Sequence, residues 1–227
     1  MDMKTATGSQ SVKQETGNSI DRDAMERLKD KIVLITGAGK GSGRLLARAL
    51  AEQGVIVAAN DISPIHGEEV VNQIAVEGGG AKAYIDDVPK KVAVQNINQV
   101  EDDFGPIDLL INHAAVEPGI SLLNRDEWEW HRTLDVNLTG AFLMTQSVGR
   151  GMRARGGGVI INLITEAKEG GTSKSAFDAS MKGLAGFTYQ AAHELKPYGI
   201  QAHALESPQE RIVETVFALL DLQLEER

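Results

Sequence analysis

Short, nearly solid apolar runs alternate with amphipathic stretches along almost the whole chain, and this alternation constrains the fold more than any other feature. Ile32–Ile35, Val55–Ala59, Ala81–Ile85, Leu109–Ile111, Val159–Ile161 and Ile200–Leu205 read as six strands. Helices are expected between and after them over Arg44–Gln53, Glu68–Glu77, Lys90–Phe104, Asp126–Arg155, Ser175–Leu195 and Gln209–Leu222. A strand that returns through a helix runs parallel to its predecessor, and a parallel sheet needs helices on both faces. Strands buried on both faces are apolar throughout rather than alternating, as these are. The expectation is an α/β fold with a single doubly wound parallel sheet of about six strands, occupying residues 31–227 without repeats. Residues 1–30 carry Ser, Thr, Gly, Gln and Lys without an apolar period and read as a flexible polar leader, with one or two helical turns over Asp21–Leu28.

Bulk properties narrow the partners. The 227 residues carry a formal net charge of −9, which disfavours binding to the phosphate backbone of nucleic acid. There is no cysteine, so disulfides, thiolate metal sites and a thiol nucleophile are excluded together. His66, His131, His193 and His203 stand at no metal-ligand spacing with each other or with carboxylates, and no metal is expected. No apolar run approaches the roughly 18–20 residues that cross a bilayer, so no membrane partner is expected and the default location is the cytoplasm.

The first strand runs directly into Thr36-Gly37-Ala38-Gly39-Lys40-Gly41-Ser42-Gly43, and a helical pattern follows at once. A buried strand, a glycine-rich turn and a helix start together make the turn that cradles a dinucleotide pyrophosphate, the signature of a Rossmann fold. Glycine permits the sharp turn and the close approach, while free amides at the helix start bind anionic oxygens. The second strand ends at Asp61, 18 residues beyond Gly43, where an acid meets the adenosine ribose hydroxyls. A carboxylate there accepts two hydroxyl hydrogen bonds and repels a 2′-phosphate, so NAD is favoured over NADP. Lys40, a cation in the turn, argues the other way, with less weight.

Several motifs in order resemble the short-chain dehydrogenase/reductase family over about Asp30–Pro208. The glycine turn is similar to the family's Thr-Gly-x-x-x-Gly-x-Gly. Asp87 and Val88 look like its adenine-side Asp-Val pair, and Asn112-His113-Ala114-Ala115 stands where the family has Asn-Asn-Ala-Gly. The resemblance implies cofactor binding through Gly37, Lys40, Gly41, Ser42, Gly43, Asp61, Asp87, Val88, Asn112 and Ala114. It also implies homo-oligomers built on the long helices near Glu127–Arg150 and Ser175–Leu195.

The same resemblance implies a catalytic Asn, Ser, Tyr and Lys, and here the chain departs from the pattern. Asn137, in Asp135-Val136-Asn137, holds the asparagine place, and Thr165 holds that of the serine, keeping a hydroxyl. Alignment on Ala179-Ser180 and Gly183-Leu184 puts Phe177 at the tyrosine and Met181 at the lysine. Phenylalanine has no proton to give, and methionine has no charge to tune one; losing positioned proton transfer costs about 10²–10⁴ in rate. The expectation is a catalytically impaired relative, a pseudoenzyme that keeps its cofactor. The alternative is an active NAD(P)-dependent oxidoreductase on an alcohol or carbonyl compound, with Thr165, Asp178 beside Lys182, or His113 as a substitute relay. Tyr189 is no substitute, because 12 residues of helix carry it about 18 Å beyond Phe177. Finally, Ser207-Pro208-Gln209 runs straight into a helical stretch where the family has a substrate-covering segment, so that cap and a seventh strand are expected to be missing.

Overall fold

The structure is a computed structural model that describes residues 26–89, 92–165 and 174–225. Among these residues six strands, β1 (Ile32–Thr36), β2 (Ile56–Asp61), β3 (Ala81–Ile85), β4 (Leu109–Asn112), β5 (Gly158–Ile164) and β6 (Ile200–Glu206), form one sheet in the order β3-β2-β1-β4-β5-β6. Every neighbouring pair is parallel. The order reverses between β1 and β4, so a crevice opens at the carboxyl ends of those two strands.

Among the described residues the sheet is covered by the helices α1 (Gly41–Glu52), α2 (Pro64–Val76), α3 (Val92–Phe104), α4 (Glu127–Leu134), α5 (Ala141–Arg155), α6 (Ser175–Leu195) and α7 (Ile212–Glu225). Alternate strand residues feed two cores. Val33, Ile35, Val57, Ile111 and Ile161 pack under α1, α2 and α7 through Leu46, Leu50, Ile74, Val216 and Phe217. Leu34, Leu110 and Ile160 pack on the other face with Ile97, Val148 and Met152 of α3 and α5. Full burial of β1, β4 and β5 on both faces is why they read as solid apolar runs.

Several boundaries differ from the expectation. α2 starts at Pro64 rather than Glu68, because Ser63 caps it by accepting from the His66 amide and proline suits its first turn. The long helical region expected over Asp126–Arg155 is present and continuous, but a π-helical turn over Asp135–Gly140 joins α4 to α5. Leu28 is buried with the α1 core, so the end of the expected leader belongs to the packed body; the rest of that segment, residues 1–25, lies outside the described residues. After β6 the chain passes through Ser207, Pro208 and a short 3₁₀ turn at Gln209–Arg211 directly into α7, with no covering segment between. β6 is the edge of the sheet among the described residues.

Candidate functional site

Register aligns four polar side chains at the carboxyl ends of the strands: Asn60 beside Thr36, Thr36 beside Asn112, and Asn112 beside Asn162. Thr36 Oγ1 accepts the amides of His113 (3.0 Å) and Ala114 (3.1 Å), which fixes the loop leaving β4 against the glycine turn. Above this row lies a cleft of about 430 Å³ lined by the turn, the end of β2, the segment after β3 and the segment after β4.

The turn fits a close-approaching anion. Gly41 has φ +55°, with open space where a side chain would stand. At Gly43 a Cβ would collide with the Gly37 carbonyl oxygen and lie 2.8 Å from His113 Nδ1, so only glycine lets α1 start this close to β4. The residue before α1, Lys40, makes no side-chain capping bond, which leaves the first amides of the helix directed at the cleft. Lys40 itself is exposed at the rim.

Asp61 is buried, and both its oxygens are held: Oδ2 accepts the Gly39 amide at 2.9 Å and Oδ1 the Ser63 amide at 2.9 Å. A Cβ on Gly39 would stand 2.7 Å from Asp61 Oδ2, so the glycine and the carboxylate require one another. At the far side of the same cleft Asp87 forms a two-pronged ion pair with Arg132 of α4, at 2.8 and 3.1 Å. Val88 lines the wall beside it. Sequence reading missed Arg132; its only signal was a cation near the family's asparagine motif, 45 residues from its partner.

Of the residues expected at the cofactor, Gly37, Lys40, Gly41, Ser42, Asp61, Asp87, Val88 and Ala114 line the cleft, and Gly43 sits behind the turn. Asn112 does not line it. Its side chain turns into the sheet, where Nδ2 donates to Asn162 Oδ1 at 2.7 Å and to Thr145 Oγ1 at 3.2 Å, tying β4 to β5 and α5. His113 does line the cleft, with Nε2 2.9 Å from Ser42 Oγ. The residue is partly open to the cleft, but Nδ1 is sealed from solvent and lacks a well-aligned partner. Desolvation holds the imidazole below its ordinary pKa, opposed by the nearby Gly37 and Thr36 backbone and by Asp61.

The π-helical turn positions Asn137. Its Oδ1 accepts the Val116 amide at 2.8 Å, while Nδ2 donates to the Val116 carbonyl at 3.0 Å and to Ser180 Oγ at 2.9 Å. Thr165, at the end of β5, lines the cleft, and its hydroxyl faces the Met181 sulfur at 3.9 Å. Phe177 and Met181 are both buried and pack with Ala141, Ile164 and Leu184 in a small apolar cluster. Asp178 and Lys182 are exposed on α6, and Tyr189 is 70% exposed. Among the described residues no group of three or more His, Asp and Glu side chains could hold a metal ion, and no helix is long and apolar enough to cross a membrane.

A doubly wound sheet with a glycine-turn cleft at its switch point defines a class of dinucleotide-dependent enzymes, and the comparisons narrow it. Residues 31–209 match the family described as short chain dehydrogenase, and the chain belongs to that family. It is 37% identical over 179 residues to the 2,3-dihydro-2,3-dihydroxybenzoate dehydrogenase of Bacillus subtilis, covering 78% of this chain and 68% of that protein. The crystal structure of NAD⁺-bound xylitol dehydrogenase superposes with a TM-score of 0.75 at 30% identity, over 80% of this chain and 71% of that one. A gluconate 5-dehydrogenase from Burkholderia cenocepacia, solved with NADP and tartrate, superposes with a TM-score of 0.73 at 32% identity, over 82% and 74% of the two chains. Solved relatives thus carry either dinucleotide.

Proposed function

We propose that this protein binds NAD(H) in the glycine-turn cleft and has lost the proton transfer that its relatives couple to hydride exchange. NAD is preferred over NADP because Asp61, buried and fixed by two amides, sets a negative charge where a 2′-phosphate would stand. When bound, the dinucleotide supplies a hydride acceptor or donor; the chain itself supplies binding and orientation. The helix α1 amides would hold the pyrophosphate, Asp61 the adenosine ribose, and Asp87 and Val88 the adenine end, with Ala114 beside the glycine turn.

The observation that carries the impaired reading is the cluster around Phe177 and Met181. Where the family resemblance calls for an acidic hydroxyl and a cation, the chain buries a ring and a thioether against Ile164 and Leu184. Thr165 retains a hydroxyl, but its neighbour there is the Met181 sulfur, which neither donates a proton nor carries charge. Asp178 and Lys182 are exposed and do not line the cleft that Thr165 lines, and His113 sits at the glycine turn. None of them substitutes for the missing pair at Thr165. Asn137, bonded to Val116 and Ser180, acts as a structural tie.

The same reading includes self-association through α5 and α6. Their shared face holds a groove of about 240 Å³ lined by Phe142, Phe187, Arg150, Arg153 and Tyr198. Calorimetric titration with NAD and NADP, followed by turnover assays on a panel of alcohols and ketones, tests the proposal. Binding of NAD without turnover supports it; turnover well above background overturns the impaired reading, and no binding of either dinucleotide overturns the whole.

A further inference from the structure

We infer that His113 is a positioning residue of the dinucleotide site, coupling pyrophosphate binding to the uptake of one proton through the hydroxyl of Ser42. This rests on the reading that the cleft binds a dinucleotide. Ser42 is the second residue of α1, so its backbone amide and its side chain both stand at the helix end that faces the cleft. Its Oγ lies 2.9 Å from His113 Nε2, and these two atoms share a single hydrogen bond. The direction of that bond decides what Ser42 can offer a phosphate.

Histidine has two neutral tautomers and one charged form. The Gly37 carbonyl lies on the Nδ1 side of the ring and favours a proton there. Nε2 is then bare and takes the Ser42 hydroxyl proton, so Ser42 turns only lone pairs to the cleft. An anionic oxygen meets repulsion. In the charged ring both nitrogens carry protons: Nδ1–H lies towards the Gly37 and Thr36 backbone without a well-aligned bond, and Nε2–H donates to Ser42 Oγ. The Ser42 O–H is then free to donate to phosphate. A bound pyrophosphate therefore favours the charged ring twice, by direct attraction and by accepting the released O–H. The other neutral tautomer also frees Ser42, but it sets the Nδ1 lone pair against the Gly37 oxygen.

The charged surroundings leave this balance to the ligand. Asp61 on β2 attracts a proton to His113. Its oxygens are already engaged by the Gly39 and Ser63 amides. Asp87 is neutralised by Arg132 of α4, while Lys40, His66 and Asp86 complete the charged or titratable lining of the cleft. From β1 the neutral Thr36 hydroxyl accepts from the backbone of His113, and the Thr36 backbone, like that of Gly37, favours a proton on the ring. Free, the imidazole is held below its ordinary value by desolvation. Binding raises it, so affinity grows as the pH falls between the free and bound values.

The test is titration of the full chain with NADH, followed by fluorescence from about pH 5.5 to about pH 8.5, with calorimetry in buffers of different ionisation enthalpy to count protons. The wild-type protein should bind more tightly at lower pH, by up to about tenfold per pH unit, with uptake of up to about one proton. His113→Asn, which restores the family residue, should bind with no uptake and a flat pH profile. Ser42→Ala should weaken binding at low pH and reduce the uptake. Wild-type binding that is independent of pH, or a pH profile that survives in His113→Asn, overturns the inference and leaves the dinucleotide reading standing. Failure of the wild-type protein to bind NADH at any pH overturns both.

Discussion

Replacing Phe177 by alanine should cost this protein far more stability than such a change costs at a solvent-lined catalytic position. Phe177 is 4% exposed and packs with Ala141, Ile164, Met181 and Leu184. A buried aromatic side chain removes about 150–250 Å² from water, and at about 25 cal/mol per Å² that is about 4–6 kcal/mol. Alanine keeps part of that burial, and incomplete collapse around the hole adds some back, which leaves about 3–5 kcal/mol. That is a large fraction of the roughly 5–15 kcal/mol that holds a domain together. Equilibrium urea unfolding, followed by tryptophan fluorescence and circular dichroism, measures it. The midpoint should fall sharply with an unchanged slope, because the extent of surface exposed is unaltered. A loss below about 1 kcal/mol would refute the claim that the ring fills a core position, since that is the range of surface changes and conservative swaps.

Four other outcomes follow from the same geometry. Gly43→Ala drives a methyl into the Gly37 carbonyl and the His113 ring, and should abolish NADH binding in a fluorescence titration while lowering the melting temperature. Asp61→Ala strands the Gly39 and Ser63 amides and should cost about 1–3 kcal/mol of stability, while the ratio of NADP to NAD dissociation constants falls towards unity. Because His113 has a folded-state pKa depressed by desolvation, its contribution is fully present above the unfolded value of about 6.5 and is lost as pH falls through the folded value. Stability measured against pH should decline over that window in the wild-type protein and not in His113→Asn. Phe177→Tyr combined with Met181→Lys should raise turnover on an alcohol or ketone panel by about 10²–10⁴ over the wild type; no rise in a folded double variant would show that the missing covering segment is limiting.

β1, β4 and β5 were legible because burial on both faces makes them apolar throughout, whereas the edge strands β3 and β6 are only partly buried and read more weakly. Strand-helix alternation carried the doubly wound topology, and the glycine turn with Asp61 carried the cleft. The start of α2 was written in Ser63-Pro64, a capping signal that a weak apolar period obscured. The π-helical turn was hidden because Asp135–Gly140 keeps a helix-like composition, and the widened turn serves the ties from Asn137 to Val116 and Ser180, which are tertiary contacts. Asn112 illustrates the limit of motif transfer, since its amide faces Asn162 and Thr145 rather than the cleft. Arg132 with Asp87 and Ser42 with His113 were invisible for one reason: each pair meets only after the strands align, across 45 and 71 residues of sequence.

The proposed function is that of a nucleotide cradle that outlasted its proton relay. Single-turnover oxidation of bound NADH, followed by loss of its absorbance across a panel of ketones and aldehydes, tests this most directly. NADH should bind and stay reduced at the rate of buffer alone. Rapid oxidation by the unaltered protein, slowed by Thr165→Val or Asp178→Ala, would contradict it.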